Sequence, residues 1–203
     1  MNGWLSKDIW TRNETLVAGV IMLFCILATL SDPRFFTITT VSDLLRASIV
    51  IGILAVGAML VLVSGGIDVS FTAIAVFAMY SSTVLSLAVW PEMPWPLIFV
   101  ISLIFGAALG AINGFFIAFL GLPTLIVTLG TLSVFRGFLL TFVGSQRISD
   151  LPPAMRDFSR GVLARGTTEA GNFYSIPWSA LALLVVFVVT WVILQKTMLG
   201  RYI

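Results

Sequence analysis

Six stretches of this sequence, at 15–30, 48–64, 71–90, 97–120, 122–143 and 176–194, are apolar almost end to end, and each meets or approaches the length of a membrane crossing. A hydrocarbon layer about 30 Å thick is crossed by about 20 helical residues, because lipid offers the backbone no hydrogen-bond partner and a helix satisfies its own. A water-soluble fold is thereby excluded. With 59% hydrophobic and 10% charged residues, the chain has too little polar surface to wrap a soluble core. The expected architecture is an all-α polytopic membrane protein of about six transmembrane segments, some of them broken or re-entrant. Lys7 and Arg12 ahead of the first stretch also suit a secretory leader, but no A-x-A cleavage site follows and five further stretches do.

The eleven Lys/Arg and nine Asp/Glu leave a net charge of +2, which gives no basic face for nucleic acid. The absence of histidine excludes His-based triads, HExxH zinc sites and a His general base. Cys25, the lone cysteine, lies inside an apolar run, where a thiol behaves as a small hydrophobe. No cofactor, metal or catalytic residue is expected, and no G-x-x-x-x-G-K-[ST] phosphate loop is present.

The segments between the spans carry their own signals. Trp90-Pro91-Glu92-Met93-Pro94-Trp95-Pro96 joins tryptophans, which favour the headgroup layer, to prolines that stop helices, so it reads as a turn at a membrane face. The polar segment 144–175 carries Arg147, Arg156, Arg160 and Arg165. Within it Ser149-Asp150-Leu151-Pro152-Pro153 has the form of a helix start and Gly161 of a stop. Leu151, Met155 and Phe158 recur at helical spacing, which suits a short surface helix lying along the membrane or against a neighbour; a solvated loop helix has the same spacing. Six crossings from a cytoplasmic N-terminus put Lys7, Arg12, Lys196 and Arg201 inside but Arg34, Arg46 and the four loop arginines outside, against the positive-inside rule. Making 67–90 re-entrant reverses that balance.

Residues that cost energy in lipid carry the functional information. Gly65-Gly66-Ile67-Asp68 interrupts two apolar runs with two glycines and a carboxylate, as a broken helix beside a protein-lined cavity does. An interfacial turn with Asp68 as an N-cap has the same sequence. Arg136 lies about two-thirds of the way along 122–143, where a charge costs roughly 2.5–3.5 kcal/mol and demands a route to water or an acid such as Asp68. Gly106, Gly110 and Gly114 form two overlapping G-x-x-x-G units, the spacing that lets a second helix pack closely. Asn113, on the same helix, needs a partner across a packing face or in a polar path. Gly121 and Pro123 mark a tight turn between the fourth and fifth crossings. Thr124, Thr128, Thr131 and Ser133 then give the fifth an unusual hydroxyl content, suited to helix contacts or a polar lining.

Taken in order, these landmarks resemble the membrane-spanning permease subunits of ribose-type, monosaccharide-carrying ABC importers, which share a superfamily with branched-chain amino-acid permeases. The resemblance runs through Ile53-Leu54-Ala55-Val56-Gly57, Leu60-Val61-Leu62-Val63 and Ser64-Gly65-Gly66-Ile67-Asp68-Val69-Ser70. It continues through Gly110-x-x-Asn113-Gly114, Leu122-Pro123-Thr124 to Thr131, Phe135-Arg136-Gly137 and Thr197-Met198-Leu199-Gly200-Arg201. Phe71-Thr72 departs from it, since such permeases usually continue Val-Gly there. Such chains are also longer, so the resemblance makes 1–203 the N-terminal part of one permease domain, ending before the helix that docks into the ATPase. It implies a multi-pass protein of the bacterial inner membrane, a cytoplasmic N-terminus, an even number of crossings before Gly200 and a periplasmic 144–175 loop. The implied partners are a cytoplasmic ABC ATPase dimer, a second permease subunit, identical or homologous, a periplasmic sugar-binding protein and the lipid bilayer. The expected role is to provide the passage for a monosaccharide or similar neutral polar solute. Asp68, Asn113, Thr128 and Arg136 are the pathway candidates, Gly65, Gly66, Gly121 and Pro123 the hinge positions, and Gly106, Gly110 and Gly114 the helix-packing positions. An ion-coupled secondary transporter using Asp68 and a branched-chain amino-acid ABC permease are the alternatives.

Overall fold

A computed structural model describes residues 13–167, 171, 173–198 and 200; Lys7, Arg12, Leu199 and Arg201, used above, lie outside the described residues. The order of elements is α1 (Asn13–Ser31), a 3-10 turn (Pro33–Phe36), α2 (Ile38–Val63), α3 (Phe71–Val89), α4 (Trp95–Ala118) and α5 (Thr124–Phe138). A π-helical turn (Leu139–Val143), α6 (Pro153–Arg160), strands β1 (Val162–Thr167) and β2 (Phe173–Pro177) and α7 (Ser179–Lys196) complete it. Among the described residues five helical segments are long and apolar enough to cross a membrane: α2, α3, α4, α5 with its π turn, and α7. The first stretch forms a shorter apolar helix over Thr15–Ser31. Helix boundaries lie within a few residues of the hydropathy limits except in α2, which begins well before position 48.

The chain divides into two compact units, Met1–Leu45 with Arg165–Ser175, and Arg46–Ala164 with Ile176–Ile203. In the first, Thr39 Oγ1 donates to the Phe173 carbonyl at 2.9 Å, tying the start of α2 to β2. Apolar side chains cover the outside of α1, with Val20, Met22 and Phe24 exposed.

In the second unit α3 is the central helix and packs on α4, α5 and the π turn. Its contact surface is made of small residues: Ala78, Ser82 and Ser86, four apart and all buried, allow close helix approach where no hydrophobic effect favours association. Phe77 fills the space between helices, edge-on to Phe105 of α4 at 6.1 Å and tilted against Phe138 of α5 at 6.0 Å. Outward faces carry large apolar side chains such as Leu103, Ile126 and Leu184, as expected where acyl chains are the solvent.

The loop after the π turn holds the expected short helix. α6 begins at Pro153, with Pro152 as N-cap, and ends at Gly161. It packs against α4: Phe158 lies on Trp95 at 4.7 Å and against Phe99 at 5.2 Å. Asp150 does not cap the helix but pairs with Arg156 at 3.1 Å on the surface. The helical class holds, with one addition that helical periodicity did not reveal: β1 and β2 pair as a two-stranded sheet, extended by the Trp178 N–H donating to the Gly161 carbonyl at 3.2 Å.

Candidate transport-pathway site

The segment 64–70 is where the backbone leaves helical geometry between two apolar helices, and two glycines accomplish this by different means. Gly65 adopts a left-handed φ of 82°. Its N–H donates to the Leu62 carbonyl and that of Gly66 to the Val61 carbonyl, both at 3.0 Å, the paired bonds that close a helix C-terminus. Gly66 is favoured by proximity instead: a Cβ there would stand 3.1 Å from Thr124 Cγ2 of α5. Beyond them the chain runs irregularly to Ser70, the residue before α3.

Side chains from two other helices hold this break. Asp68 Oδ1 accepts from both the N–H and the hydroxyl of Ser70, each at 2.7 Å. Ser70 Oγ in turn accepts from Asn113 Nδ2 of α4 at 2.7 Å. The direction of this chain is fixed by chemistry: a carboxylate only accepts, so the single Ser70 hydrogen points to Asp68 and the amide nitrogen must face Ser70. Asn113 Oδ1 is left buried with no hydrogen-bond partner among the described residues. From α5, Thr128 Oγ1 donates to the Ile67 carbonyl at 3.2 Å, with the Leu125 carbonyl at 3.4 Å as the alternative acceptor. Ser70, Thr128 and Asn113 are 0%, 1% and 5% exposed, whereas Asp68 is half-buried. Hydrogen bonds made away from water cost little to keep and much to break.

Three of the four pathway candidates therefore converge on one segment. Arg136 does not join them: it is exposed, forms no ion pair with Asp68, and lines a separate cavity of about 100 Å³ with Thr72, Ala73 and Val76 of α3 and Leu139 of the π turn. Ser70, which links Asp68 to Asn113, escaped the sequence argument because a serine costs little in an apolar run and carries no mark of its own.

Of the hinge positions, Gly121 is left-handed at φ 65° in the α4–α5 turn, and Pro123 is the N-cap of α5. The helix-packing positions differ from expectation within this chain. A Cβ at Gly106, Gly110 or Gly114 would meet nothing within 4 Å, whereas Phe105 of the same helix meets Phe77 of α3. Among the described residues no group of three or more His, Cys, Asp or Glu could hold a metal ion.

A family profile for the branched-chain amino acid transport system / permease component matches residues 40–203. The xylose transport system permease protein XylH of Escherichia coli is 30% identical over 161 residues, which is 79% of this chain and 40% of that protein. The autoinducer 2 import system permease protein LsrD of Salmonella paratyphi B is 31% identical over 201 residues, 95% of this chain and 56% of LsrD. LsrC of Photorhabdus luminescens, a permease protein of the same kind of import system, is 28% identical over 192 residues, 94% and 54% respectively. The chain thus spans about half the length of the curated relatives it matches. No solved structure gives a significant match. Five helical segments long and apolar enough to cross a membrane and a profile match over residues 40–203 lead to one conclusion: the chain belongs to the branched-chain amino acid transport system / permease component family.

Proposed function

We propose that residues 1–203 form the N-terminal part of one transmembrane domain of an ABC importer of the bacterial inner membrane, and that they provide part of the passage for a monosaccharide or similar neutral polar solute. The xylose and autoinducer 2 permeases among the relatives support a polar, hydroxyl-bearing cargo. ATP chemistry falls to a cytoplasmic ATPase dimer, delivery to a periplasmic binding protein, and the other half of the passage to a second permease subunit. In this reading the N-terminus is cytoplasmic and 144–175 periplasmic.

The observation that carries the proposal is the break at 64–70 fastened by Asn113 and Thr128. Irregular backbone at membrane depth is tolerated only where protein or a water-filled cavity surrounds it. The four pathway candidates divide their work accordingly. Asp68 and Arg136 offer polar groups to the passage, while Asn113 and Thr128 hold the segment that shapes it, with Gly65, Gly66, Gly121 and Pro123 as the points where it bends.

Uptake of labelled D-xylose and of labelled leucine by cells carrying the complete importer tests this. Xylose uptake that disappears with the ATPase and survives collapse of the ion gradients is expected. Uptake that needs only the ion gradient would establish the secondary-transporter alternative. Leucine uptake without xylose uptake would establish the branched-chain amino-acid alternative, which the family description itself favours.

A further inference from the structure

The cavity between α3 and α5 contains two polar groups that nothing else in the described chain engages. Thr83, Thr131 and Ser133 spend their hydroxyls on carbonyls four residues back in their own helices. Thr72 has no such outlet, because its carbonyl four residues back belongs to Asp68 in the irregular segment, and its hydroxyl makes no hydrogen bond among the described residues. Arg136 faces the same cavity without a carboxylate partner among the described residues, past the middle of its span. Ala73, Val76 and Leu139 supply the apolar remainder.

We propose that Thr72 and Arg136 form a donor subsite of the passage, taking one or two neighbouring hydroxyls of the transported solute as acceptors. This rests on the importer reading above. A guanidinium offers donors only, so its complement is an oxygen acceptor. The cavity is small, about 100 Å³, which suits a hydroxymethyl or a vicinal diol at one edge of a larger solute. Neutral hydroxyls fit better than a carboxylate or phosphate for a kinetic reason. A carboxylate or phosphate adds charge–charge attraction and bidentate geometry to the charge-assisted hydrogen bonds that Arg136 also gives a neutral hydroxyl, and a conduit requires binding weak enough to release. Thr72 is thereby the residue that selects for a hydroxyl, and Arg136 the one that draws it in.

The test uses the complete importer in proteoliposomes and has two independent arms. In a Cys25→Ser background, the Thr72→Cys variant is treated with anionic and cationic methanethiosulfonates of similar size. The anionic reagent is expected to react several-fold faster relative to a free thiol, and Arg136→Gln to abolish that preference while Arg136→Lys retains it. An unreactive thiol, or a preference indifferent to Arg136, overturns the subsite. In the second arm D-xylose, its monodeoxy analogues and D-xylonate compete for uptake. Thr72→Val is expected to raise the KM for xylose several-fold with little change in maximal rate and to erase discrimination against one deoxy analogue, with Thr72→Ser restoring it. Xylonate competing better than xylose overturns the preference for neutral hydroxyls. Absence of ATP-driven xylose uptake by the unmodified importer refutes xylose as cargo and leaves the thiol ratio to decide the subsite.

Discussion

Ser70 has a single hydroxyl hydrogen and two neighbours that need it for different purposes, so its side chain is the joint between the break and α4. With no exposed surface, it donates to Asp68 and accepts from Asn113. Ser70→Ala leaves the Asn113 amide nitrogen buried without an acceptor, at a cost of about 1–3 kcal/mol. Asn113→Leu costs less, since it removes an amide whose oxygen already lacks a partner and leaves Ser70 still donating to Asp68. The double variant is expected to be less destabilised than the sum of the two, by about 0.5–3 kcal/mol. Denaturant unfolding in detergent micelles measures this, and additivity of the two changes would show that the Ser70–Asn113 bond contributes nothing. Asp68 and Asn113 were legible in the sequence because each is costly at membrane depth, and Thr128 because it belongs to a hydroxyl-rich run with Thr124, Thr131 and Ser133. Their mutual bonding was not, because it depends on a backbone path that hydropathy cannot trace. Asp68 shows the difference: instead of capping α3 directly, it turns back onto the Ser70 N–H two residues on, as aspartates do in turns.

Helices and their ends obey simpler rules. The approximate limits of the later spans could be read from apolar length, and the stop at Gly161 from its residue type, because these depend on local chemistry alone. Which face of α4 would be covered could not be read. G-x-x-x-G marks a face that permits close approach, and within this chain no neighbour stands within 4 Å of a Cβ at Gly106, Gly110 or Gly114. The hairpin was missed for a related reason: Arg165 and Gly166 in β1 dilute the alternation that marks a strand, while Gly166 leaves room for the Tyr174 ring on β2. Three glycine substitutions separate conformational need from spatial need. Gly65→Ala forces a side chain into the left-handed region and is expected to cost about 1–2 kcal/mol. Gly66→Ala displaces Thr124 by a few tenths of an ångström, and its cost falls when Thr124→Ser removes the Cγ2 methyl. Gly106→Ala, with nothing within 4 Å, leaves the stability of residues 1–203 unchanged or raises it by up to about 1 kcal/mol through helix propensity. Thermal unfolding of the three variants side by side checks the ranking; a larger loss from Gly106→Ala than from Gly65→Ala would contradict it.

At the scale of the second unit, the depth of its tryptophans follows from the order of its helices. Trp90 ends α3 and Trp95 begins α4, on either side of the short Pro/Glu turn. α6 is fastened beside that turn because Phe158 lies on Trp95 and Phe99. Its exposed Asp150–Arg156 pair contributes little, so aromatic packing decides where the surface helix sits. Phe158→Ala is accordingly expected to speed amide exchange across Pro153–Arg160 several-fold, while Asp150→Asn leaves it nearly unchanged; the reverse ranking would assign the anchoring to charge. Trp95, at the membrane end of α4, belongs in the headgroup layer, where its ring is half in hydrocarbon and its N–H reaches water. Trp191 lies within α7, exposed and about 5 Å from the middle of that helix at 1.5 Å per residue, so its ring belongs among acyl chains. Single-tryptophan variants in vesicles with bromines at set depths distinguish the two positions. Trp95 fluorescence is expected to be quenched most by bromines near the glycerol backbone, and Trp191 fluorescence by bromines near the chain ends. Equal quenching of both by the deep label would mean that the α3–α4 turn enters the hydrocarbon. α6 would then have to be drawn in with its arginines, at a cost of several kcal/mol that the aromatic contacts of Phe158 cannot offset.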